Sequence, residues 1–413
     1  MTLLQCDACV VGAGPAGSAT AWALARAGAD VVLLDRARFP RDKACAEYLS
    51  PEASRILAAM DVLSPVEPHG SQLSGMRVRS PRGEWLHGEF GGSHGFRGYS
   101  NSGLAVRRTI LDAALLDAAS SAGARVVQGA RVASLAWARD GRISGVEATR
   151  DAGEALRVSA GLVVGADGLR SVVARRMGVA RRFSWPSRLA LTAHYEGVSG
   201  LTSAGEMHVE AGGYFGLAPV GNVTNVAVVV PTSAGRTVAG DAAGFLERWI
   251  EDRPHLRDRF MRARRLGTVR ATGPFASRAT RAWTPGAALV GDAADFYDPF
   301  TGEGIYAALR GAELLAPLAL SALEDPRCEP ETMRAYRRAR RREFAGKWAV
   351  ETLVSIAVAR PALMNRFTAT LARRKDLADL LVGVCGDFVP PRELLRAGFL
   401  LPLLLGGRDP AAA

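Results

Sequence analysis

The sequence predicts an α/β protein: a doubly wound domain, an inserted antiparallel β-sheet and a helical C-terminal segment. Three observations carry this reading. A strand, glycine turn, helix and second strand fill the first 35 residues. Two later apolar runs, 162–164 and 287–290, each end in a turn that carries glycine and aspartate. Between these pieces lie stretches with the two-residue alternation of half-buried strands.

The opening unit is the most informative. An apolar run at 7–11 breaks into Gly12-Ala13-Gly14-Pro15-Ala16-Gly17, helix formers follow until Gly28, and a second apolar run at 31–34 ends at Asp35. Gly12 allows a tight turn, Gly14 lets the backbone approach a pyrophosphate at the helix N-terminus, and Gly17 lets helix and strand pack closely. An acid 21 residues after Gly14 is placed to accept hydrogen bonds from ribose hydroxyls. The fingerprint occurs once, so one dinucleotide is held tightly and any second binds transiently.

Residues 73–90 and 188–230 read as one antiparallel sheet, with a hairpin at Gly221-Asn222. Residues 91–103, rich in glycine and serine, form a loop back to the first domain. The later turns are Gly165-Ala166-Asp167-Gly168 and Gly291-Asp292-Ala293-Ala294, the second followed by Asp298-Pro299-Phe300-Thr301-Gly302-Glu303-Gly304 and a long helix from Ile305. The expected division assigns 1–72, 97–182 and 273–342 to the dinucleotide-binding domain, 73–96 and 183–272 to a substrate domain, and 343–413 to a helical region.

Composition excludes several classes. With 48% apolar and 23% charged residues, the 413-residue chain is neither disordered nor collagen-like, and no stretch reaches the roughly 18 consecutive apolar residues expected of a membrane-spanning helix. The net charge of +11 does not indicate nucleic acid, because all but three of the 52 basic residues are arginine and no reading module accompanies them. Six arginines between Arg334 and Arg342 suggest a solvated helix face, with anionic lipid or a cofactor phosphate as alternatives. The apolar run 394–405 reads as a helix packed on the core, with peripheral membrane contact or a tunnel wall as other roles. The five scattered cysteines suggest neither a disulfide framework nor a metal site, since Cys6 and Cys9 point to opposite faces of a strand. No signal-peptide pattern opens the chain, and the expected compartment is the cytoplasm.

The set GAGPAG, AVRRTILDAALLDAA, GADG and GDAA with DPFTGEGI resembles the single-dinucleotide FAD oxidoreductases related to aromatic hydroxylases and geranylgeranyl reductases. The resemblance covers most of the chain. It implies an FAD-binding doubly wound (GR2-type) domain with an inserted antiparallel β-sheet substrate domain. It also implies that Gly12, Gly14, Ala16, Gly17, Asp35 and Arg36 serve the adenosine and pyrophosphate end, and that Val132 touches the adenine edge. Arg107 and Asp292 then serve the pyrophosphate and ribityl region, with Pro299, Gly302, Gly304 and Ile305 around the ring. Unpaired N–H groups at 302–305 suit a flavin that becomes anionic on reduction.

The chemistry expected from this resemblance is an NAD(P)H-dependent monooxygenase that uses O2 on a hydrophobic, phenolic-lipid or polyketide-type substrate of secondary metabolism. Its candidate catalytic residues are Cys45, Tyr48, Tyr214 and Glu303, with Glu47, His194 and Tyr297 as further proton partners. One alternative is a reductase of a lipid-like substrate in which Cys45 or Tyr48 protonates carbon; another is a non-catalytic flavin-binding partner protein. The stretch FPRDKACAEYLS resembles the geranylgeranyl-reductase pattern, with Cys45 aligned to its cysteine and Glu47 and Tyr48 standing where that pattern carries glycines. In GYFGLAP, Gly216 replaces the tryptophan of the reductase and halogenase patterns. The lack of lysine in the substrate sheet argues against halogenation. The tail LVGVCGDFVPPR is similar to those of flavoproteins that tailor phenolic lipids.

Overall fold

The computed structural model describes residues 2–151 and 153–405. In chain order, β1 (Thr2–Val11), α1 (Pro15–Arg26) and β2 (Val31–Asp35) form the opening unit. Pro15 suits the first helical turn because its fixed φ matches the helix and its missing N–H would have gone unpaired. Strands β3 (Gly75–Arg79) and β4 (Trp85–Glu89) then begin a second sheet. The chain returns through α2 (Arg108–Ser121) and β5 (Arg125–Gln128), a hairpin of β6 (Ala130–Trp137) and β7 (Ile143–Arg150), and β8 (Ala155–Gly165). A second excursion supplies β9 (Arg188–Glu196), β10 (Ala204–Glu210), β11 (Gly213–Val220), β12 (Val223–Pro231), α3 (Ala242–Glu251) and β13 (Arg264–Thr272). Finally come β14 (Ala287–Leu289), α4 (Gly304–Glu324), α5 (Glu329–Val358), α6 (Pro361–Arg373), α7 (Lys375–Cys385) and α8 (Ala397–Leu405).

The first sheet contains five parallel strands in the order β14-β8-β1-β2-β5, with the β6–β7 hairpin joined antiparallel to β8. β8 records this dual setting in its burial: its first half alternates between exposed and buried, and its last four residues are all buried. The first half pairs with the hairpin along one edge and has one face buried and the other in solvent, whereas the second half is buried on both faces. β1 behaves alike, so its exposed half, Thr2 to Asp7, escapes a reading based on apolar runs.

The second sheet runs β13-β9-β12-β11-β10-β3-β4. Sequence reasoning expects it to be antiparallel throughout, but β3 and β10 are parallel, Val78 facing Met207. These strands belong to separate passes of the chain, so no hairpin fixes their relative sense. One face packs on α3, with Phe215, Val228 and Leu246 fully buried between them. This helix lies past 188–230, the stretch that the sequence reading gave to strands.

The C-terminal helices close the assembly. α6 and α7 pack on β4, where a Cβ on Gly88 would stand 2.4 Å from the Ala378 carbonyl oxygen. Phe399 of α8 is buried, while Leu395 and Leu401 are exposed. The arginine-rich turns of α5 are not uniformly solvated: Arg334, Arg337, Arg338, Arg341 and Arg342 are exposed, but Arg340 is buried and bonds Asp295 at 2.7 Å. The α-helical period explains this, since Arg340 shares a face with Tyr336 and Phe344. Among the described residues, α4 is the one helix long and apolar enough to cross a membrane, and 56% of its apolar window is buried inside the fold.

Near one end of the second sheet, the His208 and His255 rings stack 5.4 Å apart among Arg79, Arg253, Arg259, Glu206 and Glu210. Burial, reinforced by Arg79, pushes His255 down to about 4, and burial also lowers His208. The unfolded chain therefore binds protons that the native state refuses as pH falls below about 6.5, and stability declines from there toward about 4. The melting temperature is expected to fall on acidification across this window, and His255→Asn to flatten that slope. An identical slope in the variant would remove His255 as a cause.

Candidate active site

β1 ends at Val11 and the chain turns through Gly12, whose φ of +101° is left-handed. A Cβ there would lie 2.5 Å from the Ala166 carbonyl oxygen, and one on Gly17 would lie 1.7 Å from the Gly12 oxygen. Gly14 is open by contrast, with the Arg41 guanidinium nearest at 3.6 Å. Asp35 accepts the Ala13 N–H at 2.7 Å and the Ala37 N–H at 2.8 Å. Its carboxylate thus braces the glycine turn, in addition to the ribose contact that sequence reasoning gave it. Arg36 beside it is exposed.

The facing wall follows β14. Gly291 packs so tightly on α1 that a Cβ would stand 2.8 Å from the Ala16 Cβ, and this close approach brings Asp292 to the cavity. Pro299, Gly302, Gly304 and Ile305 continue the wall into the N-terminus of α4. Burial raises the Asp292 carboxyl, against the pull of Lys43 and Arg108, and burial lowers the Lys43 ammonium. Neither side chain has a hydrogen-bond partner among the described residues. The site therefore presents a cradle bare of side chains and, opening on the same cavity, two side chains of opposite charge without hydrogen-bond partners among the described residues.

These residues fit FAD. Gly12 to Gly17 and Asp35 would hold its adenosine and pyrophosphate end, Asp292 the ribityl region, and Pro299 to Ile305 the ring. Of the residues assigned by resemblance, Gly12, Gly17, Asp35, Arg36, Arg107 and Val132 are not among those that line the cavity. Val132 is buried in β6 in the core behind β2. Arg107, at the start of α2, places Nη2 3.5 Å from His194 Nδ1 and leaves its buried Nε without a protein partner.

The substrate side of the same cavity is floored by the second sheet. The proton-bearing candidates now separate. Tyr48 lines the cavity but donates its hydroxyl to the Cys385 carbonyl at 3.3 Å. Tyr214 donates to Asp298 Oδ1 at 2.7 Å, while Arg188 holds Asp298 Oδ2 at 2.7 Å. Burial pushes both phenols far up. Glu303 and Tyr297 do not line the cavity. Burial raises Glu303, which faces Lys347 and the neighbouring carboxyl of Glu351 in the helical layer. These are corrections to the sequence-based list: the helical C-terminal region, which motif reading located without showing what it touches, takes up Tyr48 and Glu303. Another correction concerns lysine, since Lys43 reaches the cavity from a loop although none lies in the sheet.

Cys45 lines the cavity with its thiol accepting the Glu47 N–H at 3.3 Å and with the Arg108 guanidinium beside it. Glu47 is the hub of this corner. It adopts φ +60° without being glycine and is 1% exposed. Its Oε1 accepts the Arg108 N–H at 3.0 Å, and its Oε2 meets His194 Nε2 at 2.7 Å and Asn225 Nδ2 at 2.9 Å. Because Arg107 can only donate to Nδ1, His194 carries its proton on Nε2 and gives it to Glu47. Sequence reasoning missed Arg188, Asp298, Asn225 and Lys43. Asp298 and Lys43 carried a signal, from their places at the head of the DPFTGEG turn and within the FPRDKACAEYLS stretch.

Comparison with known proteins agrees with this geometry. A family model described as an FAD binding domain matches residues 5–350. Digeranylgeranylglycerophospholipid reductase 2 of Methanopyrus kandleri is 29% identical over 398 residues, covering 94% of both chains. The menaquinone reductase of Mycolicibacterium smegmatis is 31% identical over 332 residues, covering 77% of each. Among solved structures, a flavoprotein/dehydrogenase from Cytophaga hutchinsonii superposes with a TM-score of 0.80 at 20% identity, covering 98% of this chain and 96% of that one. The myxobacterial chondrochloren halogenase CndH does so with a TM-score of 0.77 at 25% identity, covering 86% and 84%. With a glycine cradle, an aspartate turn and a helix N-terminus converging on one cavity, the chain belongs to the FAD binding domain family, within the superfamily of FAD-dependent aromatic hydroxylases, halogenases and geranylgeranyl reductases.

Proposed function

We propose that the protein is an NAD(P)H-dependent flavin reductase of carbon–carbon double bonds in an apolar, lipid-like substrate. Bound flavin supplies the hydride; a proton must then come from the protein, so that one C–H bond forms at each carbon of the reduced bond. The observation that carries the reading is the state of Cys45. Of the four groups nominated as proton donors, it alone faces the cavity without having given its proton to another residue. The thiolate left behind would be held by the Glu47 N–H and the Arg108 guanidinium, and NAD(P)H with a solvent proton restores the starting state. The reductase relatives support this direction. A second reading, NAD(P)H- and O2-dependent hydroxylation of a phenolic ring, is favoured by the water-excluding lining of Phe275, Phe296 and Phe300.

Holoenzyme reduced by NAD(P)H without oxygen separates the two. Return of the oxidised spectrum on adding an isoprenoid alkene, with saturated product, is the expected result. Reoxidation only with oxygen, and product carrying label from labelled O2, would replace the reductase by the hydroxylase. Cys45→Ser is expected to lower alkene turnover by about 10²–10⁴-fold while flavin reduction by NAD(P)H stays unchanged. An unchanged turnover would remove Cys45 from catalysis.

A further inference from the structure

The register of the second sheet lays a row of small side chains across the cavity floor. Thr192 on β9 faces Ala227 on β12, Ala227 faces Gly216 on β11, and Gly216 faces Met207 on β10. All four line the cavity. On one side stands the row Ala190, Val229 and Tyr214; on the other stands His194, Asn225 and Ala218. The taller members of both rows, Tyr214, Val229, His194 and Asn225, flank a floor of threonine, alanine and glycine. The result is a trough that crosses three inter-strand steps, about 14 Å at roughly 4.8 Å each.

Its chemistry is apolar despite the polar neighbours. The Asn225 amide is spent on the Cys45 carbonyl at 3.0 Å and on Glu47, and the Tyr214 hydroxyl is spent on Asp298. No charged side chain stands in the row. Asn225, on β12 next to the β9 end of the trough, also ties that side to Cys45, which makes the β9 end the reacting one. At the far end a thioether closes it: a Cβ on Gly216 would be 3.3 Å from the Met207 Sδ and 3.7 Å from the Ala227 Cβ. Gly216 has ordinary backbone geometry, so its smallness serves space and not a turn.

We propose that this trough binds one linear, apolar chain of the substrate, running from Cys45 toward Met207, and that Gly216 together with Ala227 sets the chain length accepted. The proposal rests on the reading above only in placing substrate over this floor, and it names the part of the substrate that the floor selects. Prenol, geraniol, farnesol and geranylgeraniol titrated calorimetrically into oxidised holoenzyme test it without turnover. Affinity is expected to rise with each isoprene unit until the trough is filled. In Gly216→Leu, farnesol should weaken at least about tenfold while prenol stays within about twofold of the parent. Met207→Ala should extend the rise to longer chains, and Ala227→Val gives the same readout as Gly216→Leu should that variant fold poorly. Affinities that ignore chain length, or a variant that weakens short and long alcohols alike, would overturn the proposal. Length-dependent binding by a reduced enzyme that no alkene reoxidises would leave the trough standing and remove the reductase reading alone.

Discussion

Gly17→Ala is expected to yield a protein isolated without flavin and less stable than the parent by about 1–3 kcal/mol. The added methyl would have to occupy a point 1.7 Å from the Gly12 oxygen, well inside contact distance, with the Ala166 Cβ only 3.1 Å away in the turn that follows β8. No rotamer relieves a Cβ clash, so α1 must move off β1. That movement takes the N-terminal N–H groups of the helix away from the place where a pyrophosphate would sit. The ratio of flavin to protein absorbance after purification, with far-ultraviolet circular dichroism as a check on folding, reads both effects. Asp292→Ala provides the control, because its carboxyl has no hydrogen-bond partner among the described residues: flavin should be absent while the melting temperature stays close to that of the flavin-stripped parent. A fully yellow Gly17→Ala protein would mean that the opening turn does not hold the cofactor.

The opening turn was legible because its requirements are local. A glycine that must avoid a carbonyl within its own turn leaves the same mark in any sequence, and Gly12, Gly14 and Gly17 can be assigned from spacing alone. The second sheet was legible only as rhythm: alternation located β9, β11 and β12, but the parallel pairing of β3 with β10 depends on two passes of the chain meeting in space. The proton donors were least legible. Tyr48 and Tyr214 are both phenols on cavity strands, and sequence cannot show that Cys385, 337 residues away, or Asp298, 84 residues away, has already taken the hydrogen bond. Nor could Arg188 be singled out among so many arginines. Glu47 illustrates the same limit from the other side, since its left-handed backbone and its three side-chain partners come from α2, β9 and β12.

Arg188 makes the strongest stability prediction. Its guanidinium and the Asp298 carboxylate are 8% and 1% exposed, and Asp298 also accepts from Tyr214 and from the Phe300 N–H at 3.1 Å. The pair joins the first strand of the substrate floor to the DPFTGEG turn, so it fixes where that turn stands relative to the sheet. Arg188→Met keeps most of the side-chain volume but leaves a buried carboxylate without its cation, at an expected cost of about 3–5 kcal/mol. Adding Asp298→Asn removes the stranded charge while keeping an acceptor for Tyr214. The double variant should therefore recover much of the loss, because the penalty lies in the unpaired charge and not in the missing contact. Chemical denaturation of the four proteins in a double-mutant cycle measures the coupling. If Arg188→Met and the double variant unfold at the same denaturant concentration, Asp298 is not the group that Arg188 neutralises. Recovery of stability without recovery of turnover would show that the ion pair also positions the turn, because the Asp298→Asn change restores neutrality but not the bond between positions 188 and 298.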